Sequence, residues 1–167
     1  TLSSSSAASD VYKRQALADA GAYGREQARV LRESGVSSAT QDPYVLHTIG
    51  EMAIAAHGAE ALLGRGAALL EQALAASLAG DADANRLLGE ASIAVAEAKY
   101  ATTEASIRVS EMLFRIGGAS ATSRGLNLDR HWRNARTHTT HDPVSYKARA
   151  VGDFYLNGNL PPINTKI

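Results

Sequence analysis

Apolar residues recur along most of the chain at the three- and four-residue spacing of α-helices. One series starts at Val45 and continues through Ile49, Met52 and Ala56 toward Gly80. A second, stricter series alternates steps of three and four and consists of Leu88, Ala91, Val95, Ala98, Thr102, Ala105, Val109, Met112 and Ile116. Such a series predicts a helix that packs in a bundle, and its alanines predict close approach of the backbones. No segment alternates with the period of a strand, so the pattern predicts an all-α fold.

Glycine, aspartate and proline residues mark where these helices begin and end. Asp42-Pro43 is typical of an N-cap followed by the first helical residue, and Asp142-Pro143 repeats that signal. We predict helices over residues 16–33, 43–79, 82–116 and 144–156, with residues 119–141 mostly irregular. Short connections favour antiparallel neighbours. The predicted fold is an up-down helical bundle of antiparallel long helices plus a short C-terminal helix.

The ends of the chain differ in composition from this helical part. Residues 1–15 are rich in serine and alanine, and residues 9–15 (SDVYKRQ) resemble translated linker sequence. We therefore expect residues 1–15 to be a non-native or disordered leader. We assign residues 16–162 to one helical domain, because this length suits a single core, and residues 163–167 to a tail.

Charge and cysteine content exclude several classes of function. The chain has 17 basic and 17 acidic residues, so neither nucleic acid nor an anionic membrane is an expected partner. It has no cysteine, which excludes disulfides and thiol nucleophiles and fits a cytoplasmic setting. Glycine and charged residues interrupt every apolar stretch before it could span a bilayer. The basic residues are concentrated between Arg115 and Arg149, after a long acidic helical part.

The segment 130–143 (RHWRNARTHTTHDP) combines three histidines, three arginines and the only tryptophan. Arginines favour an anionic ligand, and imidazoles exchange protons near neutral pH. Because His141 precedes the predicted helix start at Asp142, we expect a neutral imidazole that could act in acid–base chemistry, although a histidine packed over a helix start is equally compatible. His138 lies three residues earlier, but no third ligand is near enough in sequence to predict a metal site. We expect His131 and Trp132 to pack against the bundle.

Glutamates every seven residues on the third helix also suggest a metal, but a solvent-exposed face explains them better. They are Glu90, Glu97, Glu104 and Glu111. Di-metal bundles use Glu-x-x-His pairs, which are absent here. We predict no metal.

Three runs of sequence resemble the C-terminal end of flavoproteins with the acyl-CoA dehydrogenase fold. They are residues 42–51 (DPYVLHTIGE), 113–121 (LFRIGGASA) and 128–143. Within that superfamily the chain is most similar to two-component FMN-dependent monooxygenases of the dibenzothiophene monooxygenase type. The resemblance covers about residues 16–162.

The resemblance implies a C-terminal helical domain of a larger subunit that assembles as a dimer or tetramer. It implies reduced FMN delivered by a separate flavin reductase, and oxygenation of a small organic substrate with O2. The catalytic residues would be His141 and His138, with His141 also contacting the flavin. Gly118, Ala119 and Ser120 would line the flavin, and Arg29 would reach the cofactor of a neighbouring subunit.

Two other functions remain open at this stage. An acyl-CoA dehydrogenase-like oxidoreductase with FAD would need a glutamate base near Thr140, but no glutamate follows Phe114. A non-catalytic oligomerisation module would need only the helices and would not require the histidine pair.

Overall fold

The computed structural model describes residues 4–141 and 143–162, and within these residues the fold is all-α, as predicted. The helices are α1 (Ser4–Glu26), α2 (Pro43–Leu78), α3 (Ala84–Gly117), α4 (Asp129–Thr139) and α5 (Ser145–Asn157). Short 3-10 turns occupy Arg32–Ser34, Ala39–Gln41 and Gly118–Thr122. None of the described helices combines the length and apolar composition that crossing a bilayer requires.

The two longest helices, α2 and α3, form an antiparallel hairpin. Ion pairs join Arg65 to Glu97 and Glu51 to Arg108. The earlier residue of α2 therefore pairs with the later residue of α3, as expected for antiparallel helices. The start of α2 is the predicted cap, because the Asp42 carboxylate accepts hydrogen bonds from the amides of Tyr44 and Val45 at 2.8 and 3.3 Å. Both predictions for this pair, its start and its direction, agree with the structure.

The predicted apolar series lies on the buried side of α3, which packs against each of the other four helices. Seven of its nine members are buried, and Leu88 and Val95 are half-buried. At Gly66 on α2, an added Cβ would lie 3.3 Å from the carbonyl oxygen of Ala94, so the two backbones approach closely there. The hydrophobic core cluster lies where α1, α2 and α3 meet, and it includes Tyr23 and Met52.

The first helix differs from the prediction at both ends. It begins at Ser4 rather than at residue 16, and it ends at Glu26 rather than at residue 33. Part of the expected leader is thus helical, and Ser9, Asp10 and Lys13 are buried against the bundle. Whether residues 1–15 belong to the native chain stays a prediction, and residues 1–3 and the tail 163–167 lie outside the described residues.

The prediction of a mostly irregular segment over residues 119–141 was wrong, because residues 129–139 form α4. Its buried side chains are His131, Ala135 and Thr139, which recur every four residues and face the bundle. Two of these three residue types count as polar in a hydrophobicity pattern, so the helical spacing was hidden. The helix is recognisable only when burial is known.

The last helix begins later than predicted. Residue Asp142, the expected N-cap, lies outside the described residues, and α5 starts at Ser145 rather than at Pro143 or Val144. It ends at Asn157, and Gly158 follows with φ = 75°, a left-handed conformation that favours glycine. The chain then turns back so that Leu160 packs against Gly89 of α3.

Candidate functional site

The double glycine at the end of α3 has two structural roles. A Cβ on Gly117 would lie 2.5 Å from the Cβ of Ala121 and 3.1 Å from a ring carbon of Tyr23, so only glycine permits this packing. Gly118 has φ = 54° and ψ = −148°, a backbone conformation that L-residues rarely adopt. Apart from its two chain neighbours, none of the residues that the structure describes has an atom within 4 Å of the position that its Cβ would take. The turn therefore folds tightly on one side and leaves its backbone accessible on the other.

This turn borders a cavity of about 430 Å³, which is also lined by Tyr23 near the end of α1 and by Arg29 and Leu31 in the chain that follows α1. Three of the predicted cofactor-binding residues, Arg29, Gly118 and Ser120, line it together. Ala119 is exposed in the same turn but is not among the lining residues. The other lining residues are Tyr23, Leu31, Asp42, Tyr44, Val45, Thr48, Arg115, Ile116 and Gly117.

The charges of this cavity favour an anion. Two guanidinium groups line it, those of Arg29 and Arg115. Arg115 is partly neutralised, because its Nη2 donates to Glu111 at 3.0 Å, whereas Arg29 makes no ion pair with any described residue. The Asp42 carboxylate in the wall is already used by the amides of α2. Arginine forks bind phosphate and carboxylate groups well, so the arrangement suits a ligand with such a group.

Sequence reasoning did not single out Arg115 and Tyr23. Arg115 stands two residues before the double glycine, inside the run that carries the family resemblance, and this position was the available signal. Tyr23 is buried against Gly117, and no spacing in the sequence connects residues of α1 and α3.

The two predicted catalytic histidines lie together elsewhere, at the C-terminal end of α4. Their ring centroids are 6.1 Å apart in an edge-on arrangement, and Tyr12 meets His138 edge-on at 5.9 Å. His138 is half-buried, whereas His141 is exposed, and neither lines the arginine cavity. Across residues 4–141 and 143–162, no three side chains of the metal-binding types come together.

The electrostatic argument for His141 does not hold in the structure. It relied on a helix that begins at Pro143, but α5 begins at Ser145. The amide of His141 instead bonds to the carbonyl of His138 at 3.4 Å, so His141 follows the end of α4. The helix terminus beside it is therefore a C-terminus, which has the opposite dipole sign.

The expectation for the aromatic pair on α4 was half right. His131 is buried, with 3% of its surface exposed, and its Nε2 lies 2.8 Å from Oδ2 of Asp19 on α1. Trp132 is 41% exposed, so it does not anchor the helix as predicted.

Known proteins place this geometry in context. The chain is 40% identical over 148 residues to dibenzothiophene monooxygenase from Mycolicibacterium goodii, an alignment that covers 89% of this chain and 35% of that protein. The structure matches methanesulfinate monooxygenase MsuC from Pseudomonas fluorescens with a TM-score of 0.85 and 37% identity, over 93% of this chain and 40% of that one. It also matches TdsC from Paenibacillus sp. A11-2 in complex with FMN and indole, with a TM-score of 0.84 and 36% identity, over 95% and 40% of the two chains.

The chain thus spans about a third of the length of the sequence relatives it matches. The family model for the acyl-CoA dehydrogenase C-terminal domain matches residues 13–146, which include α2, α3, α4, the cavity and the histidine pair. This chain belongs to the acyl-CoA dehydrogenase C-terminal domain family.

Proposed function

We propose that this chain is the C-terminal domain of a flavin-dependent monooxygenase that oxygenates a small organic substrate with O2. The observation that carries the proposal is the single cavity shared by Arg29, Gly118 and Ser120 in a chain similar to TdsC, which has been crystallised with FMN. The reduced FMN comes from a separate flavin reductase. The reaction consumes reduced FMN, O2 and substrate and yields FMN, oxygenated substrate and water.

The residues of the cavity fit FMN. Arg29 and Arg115 provide guanidinium groups for its phosphate, and Ser120 provides a hydroxyl group. Gly118 leaves room for the ligand, because no side chain in the described part of the chain occupies the space beside its Cα. Reduced FMN, when bound, supplies the two electrons with which one atom of O2 enters the substrate and the other forms water. FAD is the alternative cofactor, and its adenylate would need room beyond this cavity.

The histidine pair supplies acid–base groups to the same reaction. We assign the proton-transfer role to His141, because it is exposed at the end of α4 and can meet a ligand. His138 is half-buried between Tyr12 and His141, so it supports the position of His141. Imidazoles suit this task because they exchange protons near neutral pH.

Both parts of the site serve one reaction if copies of the chain assemble. Within one chain, neither His138 nor His141 lines the cavity that contains Arg29 and Arg115. In an assembly, Arg29 of one subunit reaches the flavin that faces His141 of another subunit. The surface of α2 supports assembly, because Ile54 is 76% and Leu78 is 90% exposed. A homotetramer or dimer buries such side chains. A cytoplasmic location stays a prediction.

Two features, one of the sequence and one of the structure, separate this function from its alternatives. An FAD-dependent dehydrogenase needs a carboxylate base beside the flavin, and no glutamate follows Phe114 in the chain. A pure oligomerisation module needs no cavity lined by two arginines.

The test uses the complete subunit that contains this domain, a flavin reductase with NADH, and indole as the probe substrate under ¹⁸O₂. We expect ¹⁸O in the product. His141→Ala should lower the product formed per reduced FMN by about 100-fold, the scale of a positioned acid–base group, and hydrogen peroxide should replace the product. FMN affinity should change little, because the arginine cavity holds the phosphate.

His57→Ala is the matched control, because His57 is exposed on α2 and belongs to neither part of the site. It should give the same coupling as the parent. Product without ¹⁸O would refute the monooxygenase assignment, and unchanged coupling in His141→Ala would refute the role of His141.

A further inference from the structure

A single carboxylate joins α1 to two consecutive residues of α4. Oδ2 of Asp19 accepts a hydrogen bond from Nη2 of Arg130 and lies 2.8 Å from Nε2 of His131. An ionised carboxylate only accepts hydrogen bonds, so Nε2 of His131 carries the proton in this contact. His131 is buried and Asp19 is about one-third exposed, so this contact is better shielded than an ordinary surface ion pair.

Arg130 extends the connection to the chain before α4. Its Nη1 donates to the carbonyl oxygens of Asn127 and Leu126 at 2.8 and 3.4 Å. Asp19 therefore fixes both the first turn of α4 and the loop that leads into it. Leu128, which immediately precedes α4, is buried in the core cluster and holds the start of the helix there. Within α4 itself the buried residues are only His131, Ala135 and Thr139, so little apolar packing competes with Asp19 in setting the rotation of the helix.

The same anchor lies directly below the histidine pair. His131 and His138 are seven residues apart, which is close to two helical turns and places both on the face toward the bundle. The rise between them is about 10 Å. If α4 rotated about its axis, His138 and the adjoining His141 would rotate with it and be displaced relative to the rest of the bundle.

We propose that Asp19 is a positioning residue for the histidine pair, acting through His131 and Arg130. In this role it sets the rotation of α4 and thereby the place of His138 and His141. This role rests on the proposed function only where it concerns catalysis. The positioning itself is a property of the chain.

The first experiment measures the imidazole signals of His138 and His141 by NMR in the 167-residue chain. Asp19→Ala should shift both sets of signals and weaken the ring contact between Tyr12 and His138, seen as loss of its nuclear Overhauser effects. Asp19→Asn keeps an oxygen acceptor and should restore signals close to those of the parent. Unchanged signals in Asp19→Ala would overturn the proposal.

Asp129→Ala is the matched control on the same helix. It removes an exposed ion pair to Arg133, which connects α4 only to itself, and should leave both histidine signals unchanged. A shift in this control as large as that in Asp19→Ala would also overturn the proposal, because any lost ion pair would then suffice.

The second experiment measures coupling in the complete subunit. Asp19→Ala should lower the product formed per reduced FMN by about tenfold or more, as expected when reacting groups are displaced by about 1 Å, with the FMN dissociation constant unchanged. If Asp19→Ala shifts the NMR signals but the parent subunit makes no oxygenated product, the proposed function is refuted and the positioning role stands. If Asp19→Ala leaves the NMR signals unshifted and the parent subunit does oxygenate the substrate, only the positioning role is refuted.

Discussion

Gly117→Ala tests whether the turn beside the cavity depends on tight packing. The new Cβ would lie 2.5 Å from the Cβ of Ala121, while ordinary contacts begin near 3.4 Å, so the turn must move by about 0.9 Å. Overpacking of this kind costs about 1–3 kcal/mol, and alanine regains up to about 1 kcal/mol of helix propensity. We expect a net loss of about 1–2 kcal/mol in the free energy of unfolding, and a melting temperature about 4 °C lower.

Gly58→Ala is the control, because Gly58 is an exposed helical residue of α2 and, apart from the adjoining part of its own helix, no atom of the described residues lies within 4 Å of its Cβ position. It should raise the free energy of unfolding by about 0.5–1 kcal/mol through helix propensity alone. Urea unfolding followed by circular dichroism measures both variants. FMN titration of the complete subunit should show weaker binding only for Gly117→Ala, because Ser120 moves with the turn. If Gly117→Ala is as stable as Gly58→Ala, the packing argument is wrong.

Two further predictions concern the ends of the chain. Deleting residues 1–15 should change the free energy of unfolding by about 0.5 kcal/mol or less. The favourable packing of this segment is offset by desolvation of the buried Lys13–Asp10 pair and of the Ser9 hydroxyl, which has no hydrogen-bond partner among the described residues. A loss of several kcal/mol in urea unfolding would contradict this. Hydrogen bonds from Asn157 and Asn159 at 2.8 and 3.0 Å hold the pKa of Asp153 below its ordinary value. Asn159→Ala should therefore raise the pKa of Asp153 in a carboxyl NMR titration. In the parent, the stabilisation from the two asparagine hydrogen bonds should be lost as the pH falls and Asp153 is protonated. An unchanged pKa in Asn159→Ala would show that the bond from Asn159 does not form in solution.

The scaffold was predictable because burial and periodicity agree in α2 and α3. Their apolar residues repeat at helical spacing, and the Asp42 cap has a local cause in its own side chain. The end of α1 could not be predicted in this way, because no capping residue in the sequence marks it. The amides of Gln27 and Ala28 both bond to the carbonyl of Tyr23 at 2.9 Å, which ends the regular helix although the sequence continues with good helix formers.

The site was predictable only where a motif carried it. Gly118 and Ser120 came from the double-glycine run, and Arg29 came from the family resemblance rather than from its spacing. That Arg29 and Arg115 line one cavity depends on how α1 and α3 pack, which no local pattern specifies. Likewise, Asp19 and His131 are 112 residues apart in sequence and meet only in the folded chain.

The polarity that hid α4 from a hydrophobicity pattern also explains how α4 is held. Apolar burial is not directional, so a seam such as that between α2 and α3 fixes helices through the shapes of many side chains. Hydrogen bonds are directional, and a helix held by Asp19 takes its rotation from the position of one carboxylate oxygen. Because His138 lies on the face of α4 that carries His131, a directional anchor suits the histidine pair better than a few additional apolar contacts would. The segment that looked least like a helix is therefore the one whose orientation depends most on individual side chains.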